Sequence, residues 1–178
     1  LIGEIYDTTL TAKWADILDK VIDLTQSNKA FFFLKELSAE FPLILEFKTT
    51  FDYSQQALIQ YQSQIHHDPF YIETQNVPEG EFINCNEIVD ITKYEDTDFY
   101  KNVLVPMKSH YVLGSILCRD GKHEACLVVN RGKEQRPYDE KDTNLLQLLT
   151  PHFSRAIHIF KELKLYKNYA NISKSILD

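Results

Sequence analysis

The sequence of 178 residues is poor in the residue types that mark several common enzyme classes. Its five glycines form neither GxGxxG nor GxxxxGK[ST], the two loops that hold nucleotide phosphates. It contains no GxSxG turn to expose a serine nucleophile. No other spacing brings a nucleophile beside a base. The sequence therefore predicts no catalytic residues, and we expect a protein that is not an enzyme.

Cysteine is also scarce. The chain has three cysteines, Cys85, Cys118 and Cys126, and an odd number does not make a disulfide framework. Free thiols are typical of a reducing compartment, so the sequence favours a cytoplasmic protein.

Long apolar runs and an excess of positive charge are both missing. No apolar run approaches the roughly 20 residues that a membrane-spanning helix needs, so we expect no membrane role. The net charge of −7 repels phosphate. We therefore expect that this chain does not bind DNA or RNA unaided.

The one cluster that resembles a metal site is His66, His67 and Asp68. Adjacent histidines on a helix point about 100° apart and chelate poorly compared with an i, i+4 pair. A polar helix end explains them better, and we expect neither a metal nor a cofactor.

Aromatic residues, by contrast, are abundant: 11 phenylalanines and 10 tyrosines. Large rigid rings either build a core or line a cavity, and composition does not choose between the two.

Hydrophobic periodicity predicts helices, two strands, more helices, a hairpin and a long final helix. Asp120 and Gly121 supply the hairpin turn, and a further strand is expected within residues 81–89. Pro151 must either kink the last helix or begin a new one. This order predicts an α+β sandwich with an antiparallel sheet of about five strands and helices on both faces. The helices are expected at 1–9, 14–26, 53–65, 70–72, 98–104 and from 139 onward; the strands are expected at 30–34, 42–47, 111–118 and 125–130.

The last helix carries apolar residues beyond the point where the compact domain should end. A second copy of the chain, a following domain or the chain's own core must cover them. A lysine-bearing face opposite the apolar one favours contact with a partner. The candidate dimer interface is Phe153, Phe160, Leu163, Tyr166, Tyr169 and Ile176.

Three stretches in order, at residues 1–14, 61–70 and 130–156, resemble the N-terminal region of LuxR-type transcription regulators. They include Trp14, the Asp68–Pro69 step, and Pro137, Tyr138 and Asp139. The resemblance implies a GAF/PAS-like sensing domain over residues 1–165. It also implies that residues 166–178 lead to a helix-turn-helix domain absent from this chain, which would make any contact with DNA.

In quorum-sensing members of that group, an Asp in an Asp-Pro step binds the amide of an acyl-homoserine lactone, and two tryptophans complete the pocket. Asp68 matches that aspartate. The tryptophans have no counterpart, because the only tryptophan is Trp14. Asp68 has a second interpretation as the N-cap of a short helix.

We therefore expect a sensing and dimerising domain of a bacterial LuxR-type regulator that binds an unidentified small molecule between sheet and helices. The alternative is a dimerisation or protein-docking module without a ligand, in which the rings are simply core. The candidate ligand-binding residues are Phe31, Phe33, Tyr61, Asp68, Phe70, Tyr71, Tyr100, Leu113, Ser115 and Leu117.

Overall fold

The computed structural model describes residues 1–11, 13–36, 43–50 and 55–177, and for residues 34–36, 43–49, 55, 57–58 and 164–177 it describes only the backbone. Five α-helices and five strands are present in this part of the chain. The helices are α1 (Ile2–Thr11), α2 (Trp14–Thr25), α3 (Gln55–Gln64), α4 (Pro69–Glu73) and α5 (Glu140–Leu177). The strands are β1 (Lys29–Glu36), β2 (Leu43–Thr49), β3 (Ile83–Asn84), β4 (Tyr111–Arg119) and β5 (His123–Arg131).

The strands form one antiparallel sheet in the order β2-β1-β5-β4-β3. Four strands are long, and the two-residue β3 lies at the edge, within the segment where a further strand was predicted. Gly121 has a φ of 81° and occupies the predicted turn between β4 and β5. The predicted α+β sandwich with an antiparallel sheet and a long C-terminal helix is confirmed.

One face of the sheet packs against α1, α2 and α5. Strand residues Phe32, Leu113 and Leu127 meet apolar side chains of these three helices in one buried cluster. The ring of Trp14 stacks on Phe32, with ring centroids 4.7 Å apart. This layer is a filled hydrophobic core that fixes the three helices on the sheet.

The opposite face packs against α3, α4 and the turns between β3 and β4. Phe31 and Phe33, which alternate with Phe32 along β1, belong to this second cluster. The aromatic run of β1 is therefore buried on both faces, and a strand enclosed in this way is typically a continuous hydrophobic run.

The last helix is continuous from Glu140 to Leu177, and Pro151 lies inside it. Of the two roles expected for Pro151, beginning a new helix is wrong, since the helix starts eleven residues earlier. Phe153 is 1% exposed and lies in the α1–α2–α5 core, so it offers almost no surface to a partner. Phe160 is half-buried, with its ring edge-on to Trp14. Leu163 is also half-buried, while the side chains of Tyr166, Tyr169 and Ile176 lie outside the described part.

A buried ion-pair network joins β5 to the start of α5. Arg131, which is 1% exposed, donates to Asp142 Oδ1 and Oδ2 at 3.1 and 3.0 Å and also to the carbonyls of Thr25 and Pro137. Its guanidinium lies 4.0 Å from the centre of the Tyr138 ring. Arg136 adds two more hydrogen bonds to Asp142. Arg131, Tyr138 and Asp142 lie in the stretch at residues 130–156 that resembles LuxR-type regulators. Their contacts hold β5 and α5 together.

Candidate functional site: a cavity under helices α3 and α4

A cavity of about 90 Å³ lies between the sheet and the layer that contains α3 and α4. This is several times the ~10–15 Å³ that one water molecule requires. The floor of the cavity is made of side chains in rows across the sheet, because residues paired across antiparallel strands share a face. The rows are Lys29, Asn130 and Val112; Phe31, Val128 and Gly114; and Phe33, Cys126 and Ile116.

Gly114 leaves room in the middle row of the floor. A Cβ at this position would lie 3.4 Å from Val128 Cγ2 and 3.8 Å from Cys85 Sγ, so a side chain there would fill space at the cavity wall. The opposite wall is made by Tyr61, Ile65, Asp68, Phe70 and Tyr71 from α3, α4 and the turn between them.

Asp68 is 5% exposed and stands at the junction where α4 begins. Its Oδ1 accepts from the backbone N–H of Phe70 at 2.9 Å, and its Oδ2 accepts from the Tyr61 hydroxyl at 2.9 Å. The N-cap interpretation of Asp68 is confirmed. Burial raises the pKa of this carboxyl, and the hydrogen bonds from Tyr61 and Phe70 oppose that effect.

Lys29, at the first position of β1, is fully buried in the floor of the cavity. Its Nζ donates to the carbonyl of Met107 at 2.6 Å and lies 5.5 Å from the centre of the Phe31 ring. Burial lowers the pKa of this amine from 10.5 to about 7, while the charge of Asp68 acts in the opposite direction.

Two further polar side chains of β5 line the cavity. Glu124, which is 5% exposed, is paired with Arg119, whose Nη2 lies 2.7 Å from Oε2. Asn130 donates from Nδ2 to the Ser109 hydroxyl at 3.0 Å. The Oδ1 of Asn130 is buried and has no hydrogen-bond partner among the described residues. A buried carbonyl oxygen without a hydrogen-bond donor is costly. This end of the cavity therefore lacks one donor, the one that Asn130 Oδ1 would accept from.

The structure brings six of the predicted ligand-binding residues together around the cavity. They are Phe31, Phe33, Tyr61, Asp68, Phe70 and Tyr71. Ser115 also borders the cavity, but it pairs with Leu127 and alternates with Gly114 along β4. Its side chain therefore belongs with the opposite layer, and its backbone is what reaches the cavity.

Three predicted residues lie elsewhere. Leu113 and Leu117 are buried in the α1–α2–α5 core on the other face of the sheet, so their assignment to the cavity floor is wrong. Tyr100 belongs to the same layer as the cavity but does not line it, and its hydroxyl shares a hydrogen bond of 2.7 Å with His110 Nδ1.

Several lining residues were not predicted. Lys29 stands one residue before the predicted strand, and its place in the alternation Lys29, Phe31, Phe33 was the available signal. Asn130, Val128 and Cys126 follow from the same alternation along β5, once Phe31 is known to pair with Val128. Cys85 and Met107 come from irregular segments for which periodicity gives no face.

In the described part of the chain, no group of three or more His, Cys, Asp or Glu side chains is placed to hold a metal. The rings of His66 and His67 lie side by side, with centroids 4.0 Å apart and planes inclined at 46°. No described helix is long and apolar enough to cross a membrane.

No protein-family model matches the sequence. A search of curated proteins finds no match either.

Solved structures do match. The VqsR LBD domain from Pseudomonas aeruginosa superposes with a TM-score of 0.70 at 19% identity, covering 90% of this chain and 93% of that one. CepR2 from Burkholderia cenocepacia, an N-acylhomoserine-lactone-dependent LuxR-family transcription factor, gives 0.58 at 14% identity over 89% and 92% of the chains.

The GAF3 domain of Slr1393 from Synechocystis gives a TM-score of 0.59 at 12% identity, over 93% of this chain and 99% of that one. The chain therefore has the fold that the VqsR LBD domain and CepR2 share with GAF domains.

Proposed function

We propose that this chain is the signal-sensing domain of a bacterial LuxR-type regulator and binds a small molecule in the cavity under α3 and α4. The observation that carries the proposal is the cavity itself. Aromatic rings of β1, α3 and α4 line it rather than fill it, and a few polar groups converge on it. Small-molecule sites typically combine an apolar, aromatic wall with a small number of placed polar groups.

Filling the cavity tests this proposal. Gly114→Val adds three carbon atoms at the floor, where the backbone φ does not require glycine. We expect this variant to fold and to lose binding by at least tenfold. Thermal denaturation against a metabolite library measures the effect. At a concentration of about 100 Kd, a ligand should raise the melting temperature of the wild type by about 5–10 °C.

Gly3→Val is the matched control, because a Cβ at Gly3 meets nothing within 4 Å. This variant should respond to every compound as the wild type does. If no compound stabilises the wild type more than Gly114→Val, the sensing proposal is wrong, and the alternative of a ligand-free dimerisation or docking module gains support.

We further propose that the domain comprises residues 1–165 and that the C-terminal extension 166–178 pairs with a second copy in a homodimer. The apolar pattern of Leu163, Tyr166, Tyr169 and Ile176 supports this pairing. Sedimentation velocity should give a dimer for the full chain and a monomer after removal of residues 166–178. A monomer in both cases would contradict the dimer.

In this proposal the regulator acts in the cytoplasm, in keeping with the three free cysteines. A separate helix-turn-helix domain would contact the DNA, because the net charge of −7 disfavours phosphate binding by this chain.

A further inference from the structure

Three charged side chains line the cavity: Lys29, Asp68 and Glu124. The two acids are both engaged within the protein. Asp68 uses one oxygen to cap α4 and the other to accept from Tyr61. Glu124 accepts from Arg119 Nε at 2.8 Å and is ion-paired with the same guanidinium. Each acid therefore already has hydrogen-bond donors within the protein.

Lys29 has fewer partners than the two acids. Among the described residues its Nζ has one hydrogen-bond acceptor, the Met107 carbonyl, and no carboxylate within ion-pair distance. A lysine ammonium has three N–H donors. A fully buried cation with two unused donors and no counter-ion is costly, because burial removes the water that would otherwise solvate it.

The neighbouring residue on β5 marks the same end of the cavity. Asn130 pairs directly with Lys29 across the sheet and carries the buried Oδ1 that has no partner. The amide nitrogen of Asn130 already donates to the Ser109 hydroxyl. This polar end therefore offers two lysine donors and one amide acceptor, while Phe31, Phe33 and Val128 continue the floor as an apolar surface.

We propose that the cavity takes a small carboxylate whose oxygens are bound by Lys29 and whose apolar part lies along Phe31 and Val128. This inference rests on the proposed sensing function and names the ligand class of that same site. A carboxylate supplies both the missing acceptors and the missing charge, whereas a neutral amide or alcohol supplies acceptors alone. A hydroxyl or N–H beside the carboxylate would satisfy Asn130 Oδ1.

The buried amine also makes binding depend on pH. The pKa of Lys29 is about 7 in the free protein because of burial, and a carboxylate binds the charged form. Affinity should therefore fall as pH rises above 7, approaching tenfold per pH unit. The other titratable groups lining the cavity are Tyr61, Asp68 and Tyr71 from the helical layer, Cys85 after β3, and Glu124 and Cys126 from β5.

Isothermal titration calorimetry with hexanoate, hexanamide and 1-hexanol tests the head group, since the three share one tail. At pH 6.5 the wild type should bind hexanoate at least about tenfold more tightly than the two neutral compounds. Lys29→Met, which keeps the length of the side chain, should abolish that preference. Lys133→Met is the matched control, because Lys133 lies 63% exposed on the surface.

Asp68→Asn tests whether the pH dependence comes from Asp68 or from Lys29, since asparagine removes the carboxylate but retains the N-cap. Its hexanoate affinity should keep the fall between pH 7 and 8.5, and Lys29→Met should lose it. Equal binding of the three compounds, or an unchanged preference in Lys29→Met, would overturn the carboxylate assignment and leave small-molecule binding intact. So would failure of all three while other library compounds bind. Failure of every compound would overturn the sensing function as well.

Discussion

Replacing Asp142 by alanine is expected to lower the free energy of unfolding by about 3–5 kcal/mol, because it leaves the buried Arg131 guanidinium without its counter-ion. Arg131 is 1% exposed and makes two hydrogen bonds to the Asp142 carboxylate. Breaking one side of a buried ion pair costs far more than removing a surface pair, since the remaining charge cannot be solvated. Urea denaturation at pH 7 measures the change.

Two neighbouring substitutions calibrate this result. Asp142→Asn keeps the shape and one accepting oxygen but removes the charge, so its effect should fall between those of the wild type and the alanine variant. Glu140→Ala changes an exposed residue in the same turn of α5 and should alter stability by no more than about 0.5 kcal/mol. An Asp142→Ala effect as small as that of Glu140→Ala would show that the network does not hold α5 to the sheet.

The second large effect concerns the pH dependence of stability, and it follows from Lys29. Burial lowers the pKa of Lys29 to about 7 in the folded chain from 10.5. Between these two pH values the unfolded chain holds one proton more than the folded chain does. Stability therefore rises with pH in this window, at up to about 1.4 kcal/mol per pH unit, and this group contributes no slope below pH 7.

Lys29→Met has no such proton, so the unfolding free energy of the wild type should rise relative to that of this variant as pH rises above 7. Integrating the linkage from pH 7 to pH 9 gives a change of about 2 kcal/mol. Urea denaturation at pH 6, 7, 8 and 9 provides the comparison. Lys133→Met, at an exposed position, should run parallel to the wild type throughout. Parallel curves for Lys29→Met would show that the amine is solvated in the folded state.

The order of helices and strands was predictable from the sequence because each element carries a local signal. The Asp120–Gly121 turn lies between β4 and β5, and Asp68 caps α4 as its place before Pro69 indicated. These signals depend on a few neighbouring residues, so the rest of the fold is not needed to interpret them.

The face of a strand was not predictable in the same way. Alternation groups Leu113, Ser115 and Leu117 together, but it does not say which side of the sheet they occupy. That choice depends on long-range register: Phe31 pairs with Val128 and Val128 with Gly114, so the neighbours of Gly114 on β4 face away from the cavity. The register between β1 and β5, whose paired residues Phe31 and Val128 are 97 positions apart, leaves no local trace in the sequence.

Lys29 was missed for a related reason. A lysine at a strand end normally lies in solvent, so its sequence position suggests a boundary rather than a floor. It is buried here because β5 on one side and the turn around Met107 on the other enclose the first residue of β1. The polar half of the candidate site thus became visible only when three distant segments met.

The central claim is that a small molecule occupies the space between β1, β5 and the α3–α4 layer. Methyl NMR of valine-labelled protein tests it most directly, using the compound that raises the melting temperature most. The account predicts large shifts for Val112 and Val128 in the cavity floor, and none for Val21 in the opposite core or for the exposed Val105. Shifts confined to Val21 or Val105, or unchanged floor resonances with saturating compound, would contradict it.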